Sequence, residues 1–144
     1  MGVTFCGEHR LSLDEKGRMR VPNKLRAKIE GEYVIREYPG GCLAIEPKEV
    51  FDEKFTARAA TLKMGDLPEQ DALRKICSTT FIPEEDSQGR FVLPARLKAK
   101  AGIKKKVVFL GVIDRIEIWA EERYDVDLDI EKVDVISAVK TLSI

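Results

Sequence analysis

The sequence predicts a mixed α+β fold, mainly β with capping helices, built from a tandem duplication. Two nine-residue stretches indicate the duplication: DEKGRMRVP at 14–22 and DSQGRFVLP at 86–94, which are 72 residues apart. Each stretch lies between segments in which apolar and polar residues alternate, as in half-buried strands. The chain has 144 residues, of which 44% are apolar. Because each half is too small to bury an adequate core alone, we expect the halves to share one.

Each copy of the motif is predicted to form a β-hairpin whose second strand leads into a short helix. Gly17 and Gly89 fall where a tight turn needs a positive φ, which glycine adopts without steric cost. Asp14 and Asp86 can accept backbone N–H groups across the turn. We therefore expect these four residues to be structural, and an ion pair between Asp14 and Arg18 could also close the first turn.

Proline positions and apolar spacing predict the remaining elements. Prolines at 22, 47 and 94 fit the first helical position, where a missing N–H is not needed. A further helix leads from Pro68 into the second copy, and the helix from Pro47 carries an apolar stripe of Val50, Phe51, Phe55 and Ala59. Further strands are expected at 3–5, 32–36, 42–45, 106–110 and 115–119. We expect one domain over 1–144, with repeats at 5–60 and 77–124 and an amphipathic helical tail at 125–144.

The charges balance in total but are unevenly placed along the chain. There are 25 basic and 25 acidic residues, which alone argues mildly against a nucleic-acid partner. Residues 8–28 nevertheless carry a net charge of +4 and residues 90–106 carry +7, whereas residues 117–134 carry −6. Local surface potential therefore matters more than the total charge.

The sequence reveals no catalytic residue and predicts no metal site, cofactor or small-molecule substrate. The single histidine, His9, has no ligand-like partner nearby. Cys6, Cys42 and Cys77 are too few and too widely spaced for a zinc site or a disulfide framework, so we expect reduced, buried thiols. No segment has the length and apolarity of a membrane span, and the N-terminus lacks a signal-peptide core, which predicts a cytoplasmic protein without a membrane partner.

Three motifs together resemble the MraZ family of bacterial transcriptional regulators of the division and cell-wall cluster. They are LDEKGRMRVP at 13–22, DSQGRFVLP at 86–94 and GVIDRIEIW at 111–119. The resemblance implies a pseudo-twofold, double-split β-barrel that interleaves two AbrB-like repeats, as in the AbrB and MazE families. It also implies homo-oligomeric rings, association with the nucleoid, and binding to tandem DNA repeats upstream of the protein's own operon, usually with repression. Ser87 and Gln88 depart from the motif, which puts DNA contact by the second turn in doubt.

The resemblance and the charge pattern predict five DNA-contacting residues: Arg10, Lys16, Arg18, Arg20 and Arg90. Residues 10–20 carry a net charge of +2 and the equivalent residues 82–92 carry −2, so the first turn is expected to be the better DNA reader. Strand alternation places Arg18 and Arg20 on one face, opposite the apolar Met19 and Val21. A two-stranded ribbon fits the major groove, where arginine can bond guanine O6 and N7, and Lys16 suits a phosphate.

Several alternatives stay open from the sequence alone. Arg90 could instead be held by Glu84 or Glu85. The basic run at 96–106 could be a solvated face or a phosphate-contacting surface, and Trp119 could lie in the core or at a subunit interface. The chain could also be an antitoxin-like protein-binding module, although such chains usually carry one motif copy and a disordered tail. An enzyme would need a site that no motif reveals.

Overall fold

A computed structural model describes residues 3–144 and contains two antiparallel β-structures. The larger is a five-stranded sheet with the strand order β1-β6-β7-β4-β3, and the smaller is a ribbon of β2 and β5. The strands are β1 Phe5–Ser12, β2 Arg18–Arg20, β3 Tyr33–Tyr38, β4 Cys42–Pro47, β5 Arg90–Val92, β6 Lys106–Ile113 and β7 Arg115–Ala120. With the helices around the sheet, the expected α+β class is confirmed.

Short helices connect or follow the strands. They are α1 Asn23–Arg26, α2 Lys48–Ala59, α3 Leu67–Thr79, α4 Ala95–Lys100 and α5 Val135–Thr141, with a π-helical segment at Arg123–Leu128 and a 3-10 turn at Ile130–Lys132. Pro22, Pro47 and Pro94 have extended ψ angles of 136–140° and lie at the N-cap. The expectation that they occupy the first helical position is therefore wrong by one residue, because the helical ψ begins at the next residue.

The two motifs do not form hairpins within their own repeats, and this prediction is wrong. Each turn does close locally, since the N–H of Asp14 donates to the carbonyl of Arg18 at 3.0 Å. The strands that flank the turns pair across the repeats, β1 with β6 and β2 with β5. The β1–β6 pair runs over eight residues, whereas β2 has only three. Pairing with β6 therefore gives β1 a longer run of paired residues than pairing with β2 would give.

The four strands β6, β7, β4 and β3 of the sheet are arranged symmetrically, as the duplication suggests. Past α1 and α4, equivalent residues of the two repeats are 73 positions apart. Ala44 of β4 lies opposite Glu117 of β7, and these residues are 73 apart. A local twofold axis therefore passes between the two strands. At the outer edge of β3, Phe81 adds a single bridge to Ile35.

Both repeats contribute to one core, as expected. Leu25 of α1 and its counterpart Leu97 of α4 are buried in it, together with apolar residues of both strand pairs. Trp119 belongs to a smaller cluster on the other face of the sheet, where its Nε1 donates to Glu117 at 2.9 Å. Of the two alternatives for Trp119, the structure shows the core position.

Some apolar residues remain outside the core. The stripe on α2 is not buried, and Val50 is exposed. Cys42 is buried, but Cys6 and Cys77 are exposed, so the expectation of three buried thiols is wrong for two. Among the helices within residues 3–144, none combines the length and apolarity needed to cross a bilayer.

Candidate nucleic-acid interface

The first turn is closed by the carboxylate of Asp14, which also holds Arg18. Its Oδ1 accepts the backbone N–H groups of Lys16 at 3.0 Å and Arg18 at 2.8 Å. Its Oδ2 accepts the Nε–H of Arg18 at 2.6 Å. Within residues 3–144, no further hydrogen bond engages the Arg18 side chain, so both terminal nitrogens of its guanidinium are left for a ligand.

The second turn repeats this arrangement with other residues. Asp86 Oδ1 accepts the N–H groups of Gln88 and Arg90 at 2.9 Å each, and Oδ2 accepts the Nε–H of Arg90 at 2.9 Å. The alternative in which Glu84 or Glu85 holds Arg90 is therefore wrong. Asp86 is the partner of Arg90, rather than Glu84 or Glu85, because the turn places the Asp86 carboxylate beside the guanidinium.

Both turn aspartates remain ionised at neutral pH. The backbone N–H of Arg18 lowers the pKa of Asp14, and the Arg18 side chain and the N–H of Lys16 add to this effect, which outweighs partial desolvation. Arg90 and Gln88 lower the pKa of Asp86 in the same way. A persistent carboxylate keeps each arginine in one orientation.

The glycines have the backbone conformation that the motif predicts. The φ angle is +74° at Gly17 and +78° at Gly89, and the N–H of each donates to the carbonyl of its turn aspartate at 2.9 Å. An added Cβ at Gly17 would meet nothing within 4 Å, whereas one at Gly89 would lie 3.3 Å from the Cδ of Arg20. The second turn thus supports a side chain from the first repeat.

The ribbon brings three of the predicted arginines to one open groove. Arg18 lies opposite Val92, and Arg20 lies opposite Arg90. Arg18, Arg20 and Arg90 line a groove of about 500 Å³ together with Gln88. Arg20 also donates from Nη1 to the carbonyl of Gln88 at 3.3 Å. The alternation expected for β2 is confirmed, since Met19 and Val21 are buried beneath this face.

Lys16 and Arg10 lie elsewhere. Lys16 is exposed at the tip of the first turn and does not line the groove. Arg10, on β1, is held by Asp125, with donor–acceptor distances of 2.8 and 3.1 Å. Glu121 lies 3.6 Å away, and the guanidinium stacks 5.6 Å from the ring centre of Tyr124. Sequence patterns gave no sign of this contact because the partners are 115 residues apart.

Among the groove residues that the sequence did not predict, Asn23 has the chemistry to bind a base. Asn23, the first residue of α1, lines the groove beside Pro22. An asparagine amide can bond adenine N6 and N7, so its place there is relevant to DNA recognition. The sequence feature that could have identified Asn23 is its position directly after Pro22, the last residue of the motif. Within residues 3–144, no group of three or more His, Cys, Asp or Glu residues is arranged to hold a metal ion.

Comparison with known proteins gives one consistent family. The family model described as "MraZ protein, putative antitoxin-like" matches residues 4–75 and again 76–131. The chain is similar to proteins named "Transcriptional regulator MraZ". The one from Lactobacillus helveticus is 40% identical over 121 residues, 84% of each chain. The one from Clostridium botulinum Alaska E43 is 36% identical over 135 residues (88% of this chain, 92% of the other), and that from Saccharopolyspora erythraea is 31% identical over 134 residues, 93% of each.

Proposed function

Since the chain belongs to the MraZ family, whose relatives above are transcriptional regulators and not enzymes, we propose that it acts by binding duplex DNA through the ribbon and its turns. The observation that carries this proposal is the fixed orientation of Arg18 and Arg90. In each, Nε is bonded to a turn aspartate, while the terminal nitrogens are unbonded within residues 3–144. Such a guanidinium offers two parallel N–H groups at low entropic cost.

The ribbon suits the major groove of DNA. Two antiparallel strands fit that groove, and arginine bonded to guanine O6 and N7 is a common specific contact. Arg18 and Arg20 supply two guanidinium groups on one face, whereas Val92 stands at the position equivalent to Arg20. We therefore assign sequence recognition mainly to the first turn and its strand.

Lys16 and Arg10 have different roles in this proposal. Lys16, exposed at the tip of the first turn, contacts a phosphate and positions the ribbon. Arg10 reaches DNA only by exchanging Asp125 for a phosphate, because its guanidinium is occupied in the free protein. Arg90 makes a weaker contact than Arg18, since Glu84 and Glu85 precede its turn.

We further propose that the protein works as an oligomeric ring on tandem repeats upstream of its own division and cell-wall operon, which it represses. One ribbon offers only three or four cationic contacts, too few for salt-resistant binding, whereas linked ribbons on successive repeats would bind with avidity. Exposed Val50 and half-buried Phe51 and Phe55 on α2 suit a subunit interface. The two interleaved repeats are consistent with closure into a double-split β-barrel over a single domain.

The test is fluorescence anisotropy with the fragment upstream of the protein's own operon. The competitor is a duplex of the same length and composition with its order shuffled, and sedimentation velocity gives the size of the complex. We expect the native fragment to bind at least about a thousandfold more tightly than the shuffled duplex, as specific regulators do. Equal binding to both duplexes would contradict sequence-specific recognition.

A protein-binding role of the antitoxin kind is the second candidate. The observation in its favour is the C-terminal segment, where apolar side chains stay exposed on short helices: Val126, Val133, Val135, Ile136, Val139 and Leu142. Removal of residues 133–144 separates the two roles. DNA binding should survive this truncation if the ribbon is the functional site. A stable complex with a toxin protein that the full chain forms and the truncated chain does not form would favour the protein-binding role.

A further inference from the structure

A basic segment between α4 and β6 lies beside the first turn. The backbone N–H of Leu13 donates to the carbonyl of Lys105 at 2.7 Å, and Ser12 lies opposite Lys106 in the β1–β6 pair. Asp14 follows Leu13 directly. Lys105 and Lys106 therefore lie beside Leu13 and Ser12, the two residues that precede the turn that orients Arg18.

At the equivalent position beside the second turn, a carboxylate offsets the positive charge. There Glu85 accepts from Nε and Nη2 of Arg26 at 3.1 and 3.2 Å and from the hydroxyl of Tyr33 at 2.7 Å. Burial alone would raise the pKa of Glu85, but these hydrogen bonds outweigh it and the pKa is lowered. The carboxylate thus remains charged and offsets Arg26.

Pseudo-symmetry shows what differs beside the first turn. Lys98 occupies the place of Arg26, 72 residues on, and Lys106 occupies the place of Tyr33, 73 residues on. The counterpart of Glu85 is Leu13, which is buried and apolar. The second repeat therefore has a cation, Lys98, at the position of Arg26. The first repeat has no carboxylate at the position of Glu85 to pair with it.

The remaining acidic groups do not replace that partner. Glu121 and Glu122 share a shallow cavity of about 270 Å³ with Lys104, Lys105 and Lys106. Within the part of the chain that the structure describes, no carboxylate oxygen lies within 4.0 Å of an Nζ of these lysines. Lys104, Lys105 and Lys106 therefore present unpaired positive charge, and Lys106 lies opposite Ser12, which lines the groove.

We propose that Lys98, Lys105 and Lys106 form a phosphate-contacting flank of the first turn, so that the DNA backbone leaves the ribbon over β6. This inference rests on the DNA-binding function proposed above. Lysine, as a compact charge on a flexible stem, suits phosphate contact without reading bases. The second turn lacks such a flank because Glu32 and Tyr33 occupy the places of Lys105 and Lys106. The pseudo-symmetric protein therefore binds DNA asymmetrically.

The test compares Lys105→Gln/Lys106→Gln with a control of equal charge change, Lys63→Gln/Lys140→Gln. The control lysines are exposed and form no ion pair within residues 3–144. Binding to the native upstream fragment is measured between about 50 and 200 mM salt. We expect the first variant to bind about ten- to fiftyfold more weakly at ~0.1 M salt and to lower the slope of log K against log salt by about two. The control should stay within about twofold of wild type.

The outcomes distinguish the flank from the DNA-binding function itself. If Lys105→Gln/Lys106→Gln keeps the wild-type affinity and slope while Arg18→Ala loses binding, the flank is wrong and the ribbon proposal stands. If wild type fails to prefer the upstream fragment, both proposals fall. If the control loses as much as the flank variant, the effect is one of total charge and the flank is also wrong. Sedimentation velocity on each variant shows whether the assembly is retained.

Discussion

Met19 of β2 lies directly opposite Phe91 of β5, and the two residues are 72 positions apart, the spacing of the duplicated motif. A residue can face its own repeat equivalent only on a twofold axis. The ribbon is thus a product of the duplication itself, and the same axis passes between Ala44 and Glu117 of the sheet. Arg18 and Arg90, one residue from this pair on either strand, are held at symmetric positions.

Phe91→Ala should be among the most destabilising substitutions in the ribbon. Its ring is buried and meets the edge of Tyr33, with ring centres 6.2 Å apart. Loss of a buried phenyl group costs about 3–5 kcal/mol, and urea unfolding should show this as a lower midpoint. Val92→Ala is the matched control, because Val92 is exposed, and it should change the free energy of unfolding by less than about 0.5 kcal/mol. Equal effects would mean that the ribbon does not share the core.

Comparison of Gly17→Ala with Gly89→Ala should distinguish the effect of backbone strain, which both changes introduce, from the effect of a displaced Arg20 side chain, which only Gly89→Ala introduces. Both positions have positive φ, so each change should destabilise the fold by about 1–2 kcal/mol. Only the Cβ at Gly89 would press on Arg20. Thermal unfolding should therefore give similar losses for the two variants, while DNA affinity should fall further for Gly89→Ala. A greater loss of affinity for Gly17→Ala would contradict this role of the second turn.

Glu46 should make part of the fold's stability depend on acid pH. It is buried, which alone would raise its pKa, but hydrogen bonds from Arg36 and Lys54 outweigh burial and lower it. Because the folded-state pKa lies below the ordinary value near 4.5, the stabilisation is complete above that value and is lost as the pH falls through the folded-state pKa.

Glu46→Gln tests this assignment. The variant should lose about 1–3 kcal/mol at neutral pH, because Arg36 and Lys54 keep their charges without the carboxylate. Its unfolding midpoint should then fall less steeply than that of wild type below about pH 4.5. Parallel curves for the two proteins would assign the acid sensitivity to other carboxylates.

Asp125→Asn should weaken the hold on Arg10 without weakening the fold, because it leaves only the longer contacts of Arg10 with Glu8 and Glu121, at 3.6 Å each. The pair of Arg10 and Asp125 is exposed, so its loss should leave the midpoint of urea unfolding nearly unchanged. If Arg10 contacts DNA, the released guanidinium should bind phosphate and the affinity should rise by a few fold. Arg10→Ala is the control that should cancel this gain. Unchanged affinity in both Asp125→Asn and Arg10→Ala would remove Arg10 from the set of DNA contacts.

The sequence identified the duplication, the turns and most elements because these depend on local features. Gly17 and Gly89 indicate a positive φ because they lie within a turn motif, and alternation around Met19 indicates which face is buried. Local sequence features do not identify the partner of a strand, so the motif predicts a hairpin for β2 although β2 pairs with β5. The contact from Arg10 to Asp125 likewise depends on how the tail returns to β1.

Arg18 provides the most direct test of the ribbon as the DNA-reading site. Arg18→Ala and Arg90→Ala should be compared for binding to the upstream fragment, with the assembly size confirmed for both by sedimentation velocity. We expect Arg18→Ala to bind at least about fivefold more weakly, the minimum for loss of one bidentate base contact, and Arg90→Ala to show a smaller loss. If both variants assemble normally and bind like wild type, the aspartate–arginine pairs only close their turns, and the ribbon is not the site that reads DNA.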